Sequence, residues 1–328
     1  MYLVRLVNVV CFVVRFLKKQ ERFNNRYIGQ FLRPISEQYH AKPGISMMQK
    51  IEKYYCRGIP VTCAAYAKIY GRDLSEDEKE NSVLAGIITP LIDDFTDKKM
   101  LSQQQLDALI SFSGTYQPST MEEAIVKDIL NILIGRVTSV EGVLSAFHHT
   151  IEAQHESARQ LEKDLSEEEL MRITVEKGAW SYLLLHYLIE EVPSKPTIEV
   201  IHKMGGILQL CNDIFDIHKD FLEGVRTVPN TCTDYHRFEI YYRNECRKFC
   251  AMARSLPCRK KDIEFFITLI TIVMARGLVA LRMLGKLQQN CGGGSLPLQK
   301  LQRKQLICDM EKPANFLWSL WYAYTIVK

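Results

Sequence analysis

The fold class is decided by residues 205–220, which read GGILQLCNDIFDIHKD. Apolar residues in this stretch recur every three or four positions, the period of one face of an α-helix; they are Ile207, Leu210, Ile214 and Ile217. The oxygen-bearing residues Asn212, Asp216 and Asp220 recur every four positions, so a helix places them in one line about 6 Å apart. Asp213 lies about 100° off that line, as a supporting or alternative member. The two leading glycines would let this amphipathic helix approach a neighbour closely.

The rest of the chain repeats the helical period and lacks the alternation of half-buried strands. Two capping boxes predict helix starts, Ser75 with Glu78 and Ser166 with Glu169. No long linker, repeat or low-complexity segment divides the chain. The prediction is a single all-α domain over residues 1–328, a bundle of about ten or more helices around a central cavity. Within it, residues 1–40 should form peripheral N-terminal helices, and residues 290–328 a C-terminal loop and helix.

The composition is that of an ordinary globular protein. The 328 residues are 47% hydrophobic and 24% charged, which argues against extended disorder. The 42 basic and 38 acidic residues leave a formal net charge of +4, and without an arginine-rich block no nucleic acid partner is expected. The ten cysteines form no Cys-x-x-Cys pair, so they are expected to be buried thiols in a reducing cytosol. The expected location is therefore cytoplasmic.

The N-terminus begins with an apolar segment whose longest uncharged run is residues 6–14. This run is much shorter than the ~20 residues of a membrane span, and no small-residue cleavage site follows it. A helix packed on the body of the protein and a helix resting on a membrane surface both fit, so the protein could be peripheral to a membrane. Residues 265–275 are also too short to span and should form a core helix. The oligomeric state stays open, with a homodimer as one candidate.

Another acidic face is expected at Asp93, Asp94 and Asp97, at the end of an apolar helix over residues 83–100 that Pro90 should kink. Three carboxylates crowded near a helix C-terminus repel one another and oppose the helix dipole. A solvated helix end is the ordinary explanation of such a cluster. A divalent cation would instead remove the repulsion, and magnesium fits because it binds carboxylate, water and phosphate oxygens. Two oxygen-rich faces predict Mg2+, as several ions, bound together with an anionic ligand.

Fixed positive charges near the second face would complete a diphosphate site. Arg172 and Lys177 precede this face by about one helical hairpin, Lys219 lies within it, and Arg226 comes after it on a turn. Arginine can grip phosphate with two parallel hydrogen bonds, and lysine supplies a point charge. Each of the four is a candidate catalytic residue, with an exposed solvating charge as its alternative. Lys177 and Arg226 are the first choices.

In the order and spacing of these motifs the chain resembles the class I isoprenoid synthases, the superfamily of terpene cyclases, trans-prenyl transferases, and squalene and phytoene synthases. Residues 92–97, IDDFTD, resemble its aspartate-rich first motif, and residues 212–220, NDIFDIHKD, are similar to its cyclase triad. Residues 177–179, Lys-Gly-Ala, lie where the family carries Lys-Thr-Gly. The resemblance covers roughly residues 64–230 and is weak at both ends.

The resemblance implies a class I terpene synthase fold and an Mg2+-dependent enzyme that ionises a prenyl diphosphate, a prenyl diphosphate lyase. The implied metal ligands are Asp93, Asp94, Asp97, Asn212, Asp213, Asp216 and Asp220. A dry helical cavity would stabilise the carbocation through the faces of aromatic rings. The candidate substrate-binding residues are Gln209 and four aromatic residues, each of the latter with plain core packing as its alternative: Phe95, Phe147, Trp180 and Phe215.

The choice among reactions depends on the residues directly after the first motif. A chain-elongating transferase of the family carries paired arginines there, whereas this chain offers only Lys98 and Lys99. Condensing two prenyl units also needs a second anion pocket, so the sequence favours a terpene synthase that cyclises or rearranges one prenyl diphosphate. A prenyl transferase or squalene-type condensing enzyme is the alternative, and a non-catalytic helical protein on a membrane surface is the second. A structural protein should point Asp93 and Asn212 to solvent.

Overall fold

The structure of the protein, a computed structural model, describes residues 2–52, 56–97, 100–110 and 116–328. Within these ranges the chain forms helices, turns and loops, and no β-strand. The prediction of an all-α fold is therefore confirmed.

Fourteen α-helices lie in the described part of the chain, in keeping with the ten or more expected. The first seven are α1 Tyr2–Gln38, α2 Ile45–Lys50, α3 Cys56–Ile69, α4 Glu76–Asp97, α5 Gln103–Ile110, α6 Met121–Arg136 and α7 Val140–Ser157. The others are α8 Glu167–His186, α9 Lys195–Leu222, α10 Val228–Thr231, α11 Tyr235–Arg254, α12 Lys260–Asn290, α13 Arg303–Leu306 and α14 Pro313–Val327. Short 3-10 helices occur at Ala158–Leu161 and Leu298–Lys300.

The chain divides into two compact units, each with its own core. The C-terminal unit comprises Met1–Leu6, Ala146–Leu183 and Pro193–Lys328. The N-terminal unit comprises Val7–Ser145 and Leu184–Val192. The single domain over residues 1–328 stays a prediction.

The core of the N-terminal unit lies where α4 packs against α3 and α6. Its large, fully buried side chains include Tyr66, Leu84, Ile87, Leu91 and Ile125. Pro90 lies inside α4, and the hydroxyl of Thr89 donates to the backbone carbonyl of Ala85 at 2.7 Å. α4 begins at Glu76, seven residues before the predicted start at residue 83, because Ser75, the first residue of a capping box, lies directly before Glu76.

Both predicted capping boxes are confirmed. The backbone N–H of Ser75 donates to Glu78 Oε2 at 2.8 Å, and the backbone N–H of Glu78 donates to Ser75 Oγ at 3.3 Å. The corresponding distances for Ser166 and Glu169 are 3.0 and 3.2 Å. Burial alone would raise the pKa of Glu78, but hydrogen bonds from Arg72 and from backbone N–H groups lower it. Glu78 therefore fixes the start of α4 as a buried anion.

The core of the C-terminal unit is built around α9 and α12, which pack against each other and against α11. α12 is the one helix in the described residues that could cross a membrane by length and composition. However, 78% of its most apolar window is buried inside the protein. The prediction of a core helix over residues 265–275 is therefore confirmed.

α1 forms one helix of 37 residues over the segment predicted as peripheral. Val9, Ile28 and Leu32 are buried, so the helix packs on the protein along part of its length. Leu3 and Val4, near its start, are exposed. α1 thus combines a packed face with an outward apolar end.

The nine cysteines whose side chains are described are all free thiols. Five of them, Cys63, Cys211, Cys246, Cys250 and Cys308, are buried as predicted. Cys11 and Cys291 are exposed, contrary to that prediction. Cys11 lies on the outward face of α1, and Cys291 directly follows the end of α12.

Candidate functional site

α8 and α9 cross at a pair of glycines. A Cβ atom on Gly178 would lie 2.3 Å from the carbonyl oxygen of Gly205, and one on Gly205 would lie 2.5 Å from the carbonyl oxygen of Gly178. Any side chain at either position would push the two backbones apart, so the crossing requires glycine. This close approach brings Thr174, one turn before Gly178, against the acidic motif of α9.

Asp213 is held in the interface between these two helices. Its carboxylate is buried and accepts a hydrogen bond from Thr174 Oγ1 at 2.8 Å and another from Gln209 Nε2 at 2.9 Å. Burial raises the pKa of Asp213, while the hydrogen bonds and the charge of Lys177 pull it down. Gln209, predicted to bind substrate, here orients Asp213.

Asp213, Asp216 and Asp220 form a row on one face of α9, since residues three and seven apart share a helix face. We call these three residues the acidic row. Burial raises the pKa of Asp216 by more than the ammonium group of Lys219 lowers it. Burial also raises the pKa of Asp220 to about 7, and the negative charges of Asp213 and Asp216 add to this rise. The carboxylates of the acidic row therefore repel one another at neutral pH, and a bound divalent cation would relieve this repulsion.

Asn212 lies at the outer edge of this face. Its side chain is exposed, and its Nδ2 donates to Asp216 Oδ2 at 3.3 Å. The amide of Asn212 therefore borders the acidic row and offers a neutral oxygen as a metal ligand. Asp213, predicted as a supporting or alternative ligand, thus lies on the buried side of the line formed by Asn212, Asp216 and Asp220.

Two of the four predicted bases adjoin the acidic row. The charge of Lys177 on α8 lowers the pKa of both Asp213 and Asp216, although burial raises both pKa values overall. Lys219 is largely exposed, with its Nζ 3.9 Å from a carboxylate oxygen of Glu223. Lys177 is thus a base on α8 whose charge acts on these carboxylates.

The two predicted arginines are engaged elsewhere in the C-terminal unit. Arg172 forms an ion pair with Glu156 at 2.6 Å. Arg226 donates from its side chain to the backbone carbonyls of Glu162 and Lys163, and from its backbone N–H to the carbonyl of Gln160 at 2.8 Å. The Arg172 side chain therefore links α8 to α7, and the Arg226 side chain fastens the loop between these helices. The role of both toward a diphosphate stays a prediction.

The predicted aromatic liners have packing partners of their own. Trp180 stacks on His149 at a centroid distance of 4.0 Å, and its Nε1 donates to Glu176 at 2.9 Å. The guanidinium of Arg276 lies 5.1 Å from the ring centre of Phe215, which is half-buried beside the acidic row. Phe95 and Phe147 are buried in the cores of their respective units. Phe215 is therefore a partly accessible aromatic ring on α9.

The first acidic face lies at the end of α4, in the N-terminal unit. Asp93 and Asp94 are half-buried, and Asp94 Oδ1 lies 3.3 Å from Nζ of Lys50 in α2. The side chain of Asp97 lies outside the described part, as do Lys98 and Lys99. Sequence reasoning missed Lys50, because nothing in its own segment points to a neighbour 44 positions away.

A separate group of possible metal ligands lies on α7. Ligand atoms of His148, His149 and Glu152 lie within 4.8 Å of one another. His148 Nδ1 is 3.5 Å from a carboxylate oxygen of Glu152. The sequence pattern His-His-x-x-Glu on a helix contained this signal, since residues three and four apart share a face. It mixes nitrogen and oxygen ligands and so differs in chemistry from the acidic row.

No protein-family model matches the sequence, and comparison with curated proteins gives no significant match. Among solved structures, the chain is similar to a dehydrosqualene synthase in complex with a ligand, at 14% identity and a TM-score of 0.47. That match covers 89% of this chain and 97% of the other. A polyprenyl synthetase from Streptomyces coelicolor A3(2) matches at 11% identity and a TM-score of 0.36, covering 96% of this chain and 91% of the other.

Proposed function

We propose that the protein is a magnesium-dependent enzyme that ionises a prenyl diphosphate. The observation that carries this proposal is the acidic row on α9, whose carboxylates repel one another while Lys177 lies beside them. An all-oxygen ligand set suits Mg2+ rather than a softer metal. An adjacent ammonium group suits an anion that shares the ions with the carboxylates.

Each residue of the α9 face has a part in this reaction. Thr174 and Gln209 hold the Asp213 carboxylate in one orientation. Asp216 and Asp220 present half-buried carboxylate oxygens, where Mg2+ would supply Lewis acidity toward the diphosphate oxygens. Lys177 stabilises the negative charge that develops on the departing diphosphate.

The carboxylates of the first acidic face are also proposed to bind Mg2+. Asp93 and Asp94 offer half-buried carboxylate oxygens at the end of α4, and Lys50 keeps one of them in place. Substituting Asp93 by Asn should abolish magnesium-dependent turnover without unfolding the protein, because an amide of the same shape replaces one of the repelling carboxylates. Unchanged turnover in this variant would restrict the active site to the α9 face.

Two reactions can follow the same ionisation. Either the C=C bond of a second prenyl unit attacks the cation and a proton is then lost, which lengthens the chain, or a C=C bond of the same molecule attacks it, and loss of a proton or addition of water then gives a neutral cyclic product. The sequence favours ring closure only because it shows few positive charges near the first acidic face. Lys50, 3.3 Å from Asp94, supplies a cation there that is not visible in the sequence around Asp94. Condensation by a prenyl transferase or squalene-type enzyme is therefore the first candidate and cyclisation the second. Neither of the two solved structures described above is named as a cyclase.

The test is product analysis with defined substrates. Geranyl, farnesyl and geranylgeranyl diphosphate are each incubated with the protein and Mg2+, with and without isopentenyl diphosphate, and the extracts are analysed by mass spectrometry. Condensation predicts a product that doubles in carbon number, or that grows by five carbons when isopentenyl diphosphate is added. Cyclisation predicts an unchanged carbon number. Intact substrate in every incubation, with no diphosphate released, would overturn the proposal.

A further inference from the structure

α14 carries an exposed apolar face in the C-terminal unit. Its 15 residues include no charged side chain. Tyr322, Ala323 and Ile326 are buried on the side where α14 packs against α11 and α12. The opposite side exposes four large apolar residues in neighbouring positions: Phe316, Leu317, Trp318 and Trp321. Leu317 is 64% exposed and Trp321 54% exposed, an accumulation that water-facing surfaces seldom carry without a binding role.

The start of α1 extends this apolar face. The ring of Tyr2 lies 5.2 Å from the ring of Tyr324 in α14, and Tyr324 in turn lies 5.6 Å from Trp321. The residues next to Tyr2, Leu3 and Val4, are exposed, Leu3 by 71%. Two chain segments far apart in sequence therefore contribute to one apolar surface.

Positive charges border this surface. The guanidinium of Arg282 lies 4.5 Å from the ring centre of Trp318, and the ammonium of Lys328 lies 6.0 Å from that of Tyr324. Arg247 donates to the backbone carbonyl of Thr325 at 3.4 Å. These cations would repel the same cations on a second copy of the chain, whereas they would attract an anionic surface.

We propose that the α14 face docks on the surface of a lipid bilayer that contains anionic headgroups. Tryptophan is enriched at the boundary between headgroups and acyl chains, and a basic border adds attraction to anionic lipids. A helix of 15 residues is about 22 Å long, shorter than the ~30 Å hydrocarbon core. α14 therefore lies in the interface rather than across it. The proposal does not depend on the chemistry of the acidic row.

Vesicle binding tests the proposal with the whole chain. Two of the three tryptophans in the sequence lie on α14, while Trp180 is half-buried and stacked on His149. Vesicles of phosphatidylcholine with phosphatidylglycerol should shift tryptophan emission to the blue and sediment with the protein, and pure phosphatidylcholine vesicles should bind it more weakly. The double variant Leu317→Glu with Trp321→Glu should lose about tenfold or more in vesicle affinity.

The control is Leu161→Glu, which places one of these two added negative charges at a 61% exposed leucine of the same unit. It should bind anionic vesicles as the parent does, and circular dichroism should show both proteins folded. Absent vesicle binding, or equal loss in the control and the α14 variant, would overturn the proposal. It would also be overturned if sedimentation without lipid showed a dimer that only the α14 variant dissociates, since the face would then bind a second copy.

Discussion

Asp220 carries a carboxyl group that holds its proton up to an unusually high pH. Burial and the charges of Asp213 and Asp216 raise its pKa from 3.8 to about 7. The folded protein therefore binds a proton at this site more tightly than the unfolded chain does. Between these two pKa values, unfolding releases a proton, so the contribution of Asp220 to stability falls as the pH rises.

The first prediction follows from this loss of stability as the pH rises. At about pH 3, below both pKa values, the parent and an Asp220→Asn variant should have similar free energies of unfolding, because the carboxyl is then protonated in both the folded and the unfolded parent. At pH 8 the variant should be more stable by about 1–2 kcal/mol, a value that allows for solvent screening of the partly exposed group. Urea denaturation at both pH values, without metal, measures this difference. A constant difference across the range would contradict it.

The second prediction concerns Asp216. Asp216→Asn should lower magnesium-dependent turnover of a prenyl diphosphate by about a hundredfold or more, since a carboxylate ligand becomes an amide. The metal-free variant should be at least as stable as the parent, because one source of repulsion is removed. Asp164→Asn, at an exposed position of the same unit, is the matched control and should leave turnover unchanged. Equal turnover in all three proteins would refute the assignment.

Sequence reasoning at this scale found the carboxylates but not the partners of the bases. The four-residue spacing of Asn212, Asp216 and Asp220 is a property of one helix, so it can be read directly from the chain. The engagement of Arg226 with carbonyls about 60 positions away depends on how a loop folds back. No local pattern contains that information.

At the scale of the helices, the crossing of α8 and α9 sets the position of Lys177 and Thr174. The third prediction is that Gly178→Ala lowers the free energy of unfolding by about 1–3 kcal/mol, because its Cβ would meet the carbonyl oxygen of Gly205 at 2.3 Å. Gly285→Ala is the control, since its Cβ has its nearest contact at 3.8 Å. That variant should gain about 0.5–1 kcal/mol from the helix propensity of alanine.

Thermal or urea denaturation of both variants measures the contrast. A stabilised Gly178→Ala variant would mean that the two backbones do not approach as closely as the crossing requires. The same variant should also weaken turnover, since separating the helices moves Lys177 away from the acidic row. A loss of stability with full activity would show that this geometry does not serve the reaction.

Helix starts and the all-α class were predictable because they depend on local rules. Capping boxes and the 3.6-residue period are contained within a few turns of chain. The exposed face of α14 was not predictable, because an apolar helix without charge is expected to be buried on all sides. The exposure of a helix face depends on which other helices pack against it, and the sequence of one helix does not contain that information.

At the scale of the whole molecule, the two acidic faces belong to different compact units. The lipid-facing surface proposed at α14 would suit an enzyme whose substrates carry long apolar chains. Each part is separately testable, because the acidic row and α14 share no residue.

The most direct measurement is calorimetric titration of inorganic diphosphate into the protein with and without Mg2+. The proposed function predicts binding with Mg2+ that disappears with a chelator and in Asp216→Asn, but persists in Asp164→Asn. The carboxylates alone repel the anion, so metal-free binding should be absent. Binding of equal strength without Mg2+, or equal binding in Asp216→Asn, would contradict the claim that the acidic row is a magnesium–diphosphate site.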